Sequence, residues 1–266
     1  MVRRGPPRAQ VDWYLDFPDV AEEQVISIEH VSKRRGSTQI LSDVSFTARA
    51  GRVTGFLGPN GAGKSSTLRI LLGLDRQQEG TALICGKPFA KLHRPLMTVG
   101  AVLDGSGAHR SRTGRGHLRW VAASNGLPRS RIDEVLDVVG LADAARKRVA
   151  SYSLGMGRRL ALASALLGDP EVLVLDEPVN GLDPEGIRWV RTLLRERAAT
   201  GRTVLLSSHF MGELTETVDD LVVIDQGHVV SRGTLAEVTG THRALEDAFF
   251  ALTSGGTRLS ARGGAL

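Results

Sequence analysis

The 266-residue chain is 41% hydrophobic with a formal net charge of +5, enough apolar material for one substantial core with room for an inserted subdomain. No apolar run approaches the roughly 20 residues of a membrane helix, and the N-terminus Met1-Val2-Arg3-Arg4 lacks the apolar stretch of a secretory signal, so a cytosolic protein is expected. Cys85, the only cysteine, excludes an internal disulfide or a multi-thiolate zinc site, and the basicity alone fits nucleic acid, anionic lipid or no partner.

Residues 1–24 mix Pro, Arg, acidic and aromatic side chains without a sustained period, which predicts a poorly ordered tail. Alternation at 25–28 and 44–47, followed by 52–57 running into a glycine-rich turn, predicts strands that feed a phosphate loop. A helix is expected over 64–74 and short strands over 81–84 and 98–103. Helical periodicity from about 116 to 167 predicts an inserted helical subdomain at about 108–168. Strand 172–175, helix 184–198, strand 203–207, helix 210–218 and strand 221–224 follow, an alternation that implies a largely parallel sheet. The main domain is expected over 25–235, with a short helical pattern and a frayed tail in 236–266.

Gly58, Pro59, Asn60, Gly61, Ala62, Gly63, Lys64 and Ser65 satisfy the phosphate-loop pattern between a predicted strand and a predicted helix, with Ser66 next in line. The glycines let successive N–H groups face phosphate oxygens, the helix N-terminus adds positive potential, Lys64 reaches the β and γ phosphates, and Ser65 can ligate Mg²⁺. Apolar residues 172–175 end in Asp176 and Glu177, which suits one carboxylate for the metal and another as general base for the attacking water. Ser153 and Gly155 open a further helix and could form a second anion-binding end; read alone, Ser153 is a plain helix cap.

Phosphate loop, Ser-x-Gly helix start, Asp-Glu strand end, the Gly181-Leu182-Asp183 turn and His209 occur in the order of the ABC ATPase family, which the chain resembles over roughly 25–233. The resemblance implies an α/β P-loop NTPase with a RecA-like parallel-sheet core, an antiparallel β subdomain and an inserted helical subdomain. It implies an ATPase that uses ATP and Mg²⁺ and works as a head-to-tail homodimer, with Ser153 and Gly155 acting on the nucleotide held by the partner. Asp183 would communicate across the dimer, or serve simply as a helix cap, and His209 would contact the γ-phosphate as the switch histidine. Three departures stand out: Arg35 where the family offers an aromatic ring for adenine, Asp104 where most members have a glutamine that senses Mg²⁺, and Leu154 where a glycine is usual. A guanidinium can stack on a base, and a carboxylate can accept from metal-bound water.

The chain is too short between Lys64 and Asp176 for the coiled coil of a chromosome-maintenance ATPase, and it has one phosphate loop where translation-type members have two. The wording of residues 99–104, 152–156 and 245–250 resembles the exporter branch related to daunorubicin-type drug and antibiotic exporters. That branch implies a separate membrane permease as partner, peripheral attachment to the inner face of the cell membrane and no nucleic acid. The basic segment 109–117 would lie near the permease or the lipid surface, or be a solvated loop. A soluble ABC-type ATPase that drives a cytosolic regulatory or assembly partner is the alternative.

Overall fold

The computed structural model describes residues 24–103 and 107–254. The expected N-terminal tail up to 23, Asp104 and the stretch beyond 254 lie outside the described residues. In chain order the elements are β1 (Gln24–Arg35), β2 (Thr38–Arg49), β3 (Val53–Leu57), α1 (Lys64–Leu71), β4 (Glu79–Ile84), α2 (Pro95–Thr98) and β5 (Val99–Val102). They continue with α3 (Gly114–Ser124), α4 (Ser130–Val138), α5 (Leu154–Leu166), β6 (Val172–Asp176), α6 (Pro184–Ala199) and β7 (Thr203–Ser208). The last are α7 (Met211–Thr215), β8 (Asp220–Asp225), β9 (His228–Thr234), α8 (Leu235–Thr239) and α9 (Leu245–Ser254). No helix among the described residues is long and apolar enough to cross a membrane.

Two sheets organise the chain: an antiparallel one in the order β2-β1-β4, and a larger one in the order β5-β6-β7-β3-β8-β9. The larger sheet is parallel apart from its edge strand β9. Strands β3, β6 and β7 are buried at every residue, as expected of parallel strands covered on both faces, and they read as near-continuous apolar runs. One apolar cluster holds Leu118, Ile132, Leu136 and Leu160 of α3, α4 and α5 together with Leu173 and Leu175 of β6. A second joins the antiparallel sheet and α1, through Ile28, Phe46 and Leu68, to Val174 and Leu205.

The strand order positions the chemistry. β7 lies between β3 and β6, and its register sets Leu57 opposite Ser208 and Asp176 opposite Ser207. The segments that follow these three strands therefore emerge side by side at one end of the sheet, the usual ligand edge of an open parallel sheet.

Several expected elements differ in extent. The helix expected over 64–74 stops at Leu71, because the chain turns through Gly73 at φ 66°. Thr98, expected in a strand, closes a helical turn begun by Pro95, so β5 starts only at Val99. The long helical stretch is divided into α3, α4 and α5 by turns at Gly126 and Gly140, both at positive φ. β9 and α8 are not expected from the sequence: β9 is an edge strand whose half-buried positions alternate with exposed ones but hold Val229, Ser231 and Gly233, so no apolar alternation marks it.

Candidate functional site

The phosphate loop joins buried β3 to α1, and its glycines are there for steric reasons. A Cβ at Gly58 would lie 2.3 Å from Ile224 O, and one at Gly63, at φ 110°, would lie 2.5 Å from Leu41 Cδ2. Gly61, at φ 84°, faces open space on the loop's outer side. Gly63 is the N-cap of α1 and offers no side chain to its first turn, which also lacks acidic residues, so the helix end remains positive toward the loop. Asn60, Gly61 and Ser65 are exposed, Ser66 is half-buried, and Ala62 is buried.

Lys64 is buried and turns back into the loop, where Nζ donates to Gly58 O at 2.6 Å and Pro59 O at 3.2 Å. Burial pushes its pKa down, against the opposing charges of Glu177 and Asp176. Nζ also lies 3.6 Å from Glu177 Oε1.

Asp176 closes β6 and is 6% exposed; the Ser207 hydroxyl donates to its Oδ1. The same hydroxyl oxygen accepts from Glu177 N at 3.1 Å, so Ser207 ties Asp176, and the Glu177 that follows β6, to β7. Glu177 itself sits at φ 49°, a left-handed conformation that turns its side chain away from the strand direction. The sequence reading missed Ser207; its one signal was a polar Ser207-Ser208 end on an otherwise apolar strand.

His209 follows β7, and the turn after it is fixed by Phe210 N donating to Ser208 Oγ at 2.9 Å. Its Nδ1 approaches Glu177 Oε1 to 2.9 Å, but off the line that a hydrogen bond requires. Both His209 Nδ1 and Glu177 Oε2 are buried without a hydrogen-bond partner. Lys64, Asp176, Glu177 and His209 are thus one polar cluster at the end of three adjacent strands.

Ser153, Gly155 and Asp183 form a second group. Ser153 caps α5, its Oγ accepting from Met156 N at 3.2 Å, and Asp183 caps α6, its Oδ1 accepting from Gly186 N at 2.9 Å with Pro184 at the first helical position. Gly155 packs beside Leu182 and Gly181, and Leu154 lies across Gly181, where a Cβ would meet Leu154 Cδ2 at 2.3 Å. Leucine in place of the usual glycine therefore covers the turn. Among the described residues no hydrogen bond joins Ser153 or Gly155 to the phosphate loop. Arg35 is exposed at the tip of the β1–β2 hairpin, paired in register with Thr38. No three His, Cys, Asp or Glu side chains converge among the described residues.

The pattern of the family described as "ABC transporter" matches residues 41–180. The chain is 38% identical to the Nod factor export ATP-binding protein I of Ralstonia nicotianae over 81% of this chain and 69% of that one. It is 34% identical to the bacitracin transport ATP-binding protein BcrA of Enterococcus faecalis, over 83% of this chain and 73% of that one. Among solved structures, one described as the ATP binding subunit of an ABC transporter superposes with a TM-score of 0.79 at 25% identity, covering 86% of this chain and 99% of the other.

Proposed function

The chain belongs to the ABC transporter family of ATP-binding proteins and is an ATPase, and from that premise we propose that it is the motor of an exporter. Two copies close around two ATP molecules and drive a separate membrane permease, with cargo of the drug or antibiotic class. The observation that carries the hydrolytic part is the placement of Glu177 Oε1 between Lys64 Nζ, at 3.6 Å, and His209 Nδ1, at 2.9 Å. The exporter reading draws support from the transport roles in the names of the two relatives.

Backbone N–H groups of 60–65, at the loop and the start of α1, take the phosphates. Lys64 exchanges Gly58 O and Pro59 O for phosphate oxygens. Ser65 and Asp176 would hold Mg²⁺, with Asp104 as a further ligand; a buried carboxylate whose side chain, among the described residues, accepts from Ser207 alone fits such an ion. When bound, that ion neutralises charge developing on the transferred phosphoryl group. Glu177 accepts a proton from the attacking water. His209 orients that water and the γ-phosphate. Arg35 stacks on the adenine from the hairpin tip.

Ser153 and Gly155 act on the nucleotide of the second copy: within one chain Gly155 packs on the Gly181–Leu182 turn, and Ser153 bonds only its own helix start among the described residues. Asp183 holds that turn at the dimer seam. Attachment to the inner face of the membrane follows from the permease. The test is the mass of E177Q in solution: a dimer in Mg²⁺ and ATP, a monomer in ADP, and a monomer throughout when Ser153→Arg is added. A monomer in every nucleotide state would remove the two-copy mechanism.

A further inference from the structure

Glu213, on α7 four residues after His209, is a half-buried carboxylate that the reading above does not use. Its Oε2 is buried without a hydrogen-bond partner, an arrangement that folded proteins usually avoid. It borders two spaces beside the hydrolytic cluster. It lines a small cavity of about 20 Å³ with Pro178 and Val179, the residues directly after Glu177, and with Arg191 of α6. It also lines an open cleft with Pro184 and Arg188, at the start of the helix that Asp183 caps.

Arg191 faces the same small cavity and has its own buried, unpartnered Nε, while its Nη1 pairs with Glu216 one residue beyond α7. A donor and an acceptor that are both buried and unbonded thus flank the same space, with Thr217 Oγ1 donating to Glu213 O at 2.7 Å behind them. The charges acting on Glu213 identify its surroundings. Burial pushes its pKa up, the charge of Glu177 adds to the rise, and His209 and Arg191 oppose it.

We propose that Glu213 is a positioning residue for hydrolysis: engaged with Arg191, it fixes the start of α7 on α6 and thereby aims His209 at Glu177. The need for aim is visible in the unaligned 2.9 Å approach of His209 Nδ1 to Glu177 Oε1, which a small rotation at the start of α7 would convert into a hydrogen bond. That engagement would link the helix that Asp183 caps to the strand end that carries His209. The inference rests on the roles proposed for Glu177 and His209.

The experiment compares wild type, E177Q, E213Q and E213D by kcat and KM for ATP, with thermal unfolding of each. E213Q keeps the side-chain volume and removes the charge; its kcat should fall about tenfold with KM within about twofold and the unfolding temperature unchanged, and E213D should recover part of the loss. A positioning role is overturned by E213Q turning over like wild type, by a loss that appears only in KM, or by a loss that tracks a lowered unfolding temperature. Wild-type turnover by E177Q would instead overturn the catalytic reading on which the inference stands.

Discussion

Glu177 takes a left-handed backbone at φ 49°, which for a residue with a Cβ costs about 1–3 kcal/mol and persists only where its surroundings impose it. Here they do: Glu177 N is shared between Ser207 O and Ser207 Oγ, so the neighbouring strand holds the kink that aims the carboxylate. A residue buried at some cost is His117 of α3, 4% exposed, with Nε2 3.1 Å from Ser164 Oγ and Nδ1 buried without a partner. Burial, followed by the nearby Arg112 charge, pushes its pKa below 6.5. In the unfolded chain His117 takes up a proton as pH falls through about 6.5, while the folded chain resists, so stability is lost toward acid. The unfolding temperature of wild type should therefore drop more steeply below about pH 6.5 than that of His117→Gln, which keeps a partner for Ser164. Parallel pH curves would contradict this assignment.

At the scale of elements, the close contact of β5 with α5 fixes the helical insert against the parallel sheet. Gly100 is its pivot: a Cβ there would sit 2.2 Å from Ala165 O, a backbone atom that cannot move aside cheaply. Gly100→Ala should lower stability by about 1–3 kcal/mol, read from the denaturant midpoint, and an unchanged midpoint would show the helix to be freer than the packing indicates. Elements with both a buried face and a clear stop were legible in the sequence. The buried runs of β3, β6 and β7 read as strands, and Asp183-Pro184 marked the start of α6. Extents were less legible: β1 and β2 each run 12 residues with register shifts between them, so alternation showed only in fragments. Of the site, the phosphate loop and the Asp176-Glu177 pair could be read because their chemistry is local. Ser207 and Glu213 could not, because their meaning depends on which strand or helix lies beside them in space.

At the scale of the molecule, two groups of functional residues face different neighbours. Lys64, Asp176, Glu177 and His209 converge within the chain, whereas Ser153 caps α5 and Gly155 sits against the Gly181–Leu182 turn. The segment 109–117 is less free than its charge suggests: Arg112 stacks 4.6 Å over Trp120 and Arg115 pairs with Asp133. Arg110 remains exposed and lines a cavity of about 380 Å³ beside Ser153, so a permease contact in this segment would centre on Arg110. The central claim remains that the Lys64–Glu177–His209 cluster hydrolyses ATP. The measurement that tests it most directly is steady-state ATP hydrolysis with Mg²⁺ by wild type, K64A and E177Q, with nucleotide affinity measured alongside. The account predicts turnover by wild type, lost nucleotide binding in K64A, and a fall of roughly 10²–10⁴-fold in E177Q with binding retained. Wild-type turnover by E177Q, or ATP affinity untouched in K64A, would contradict it.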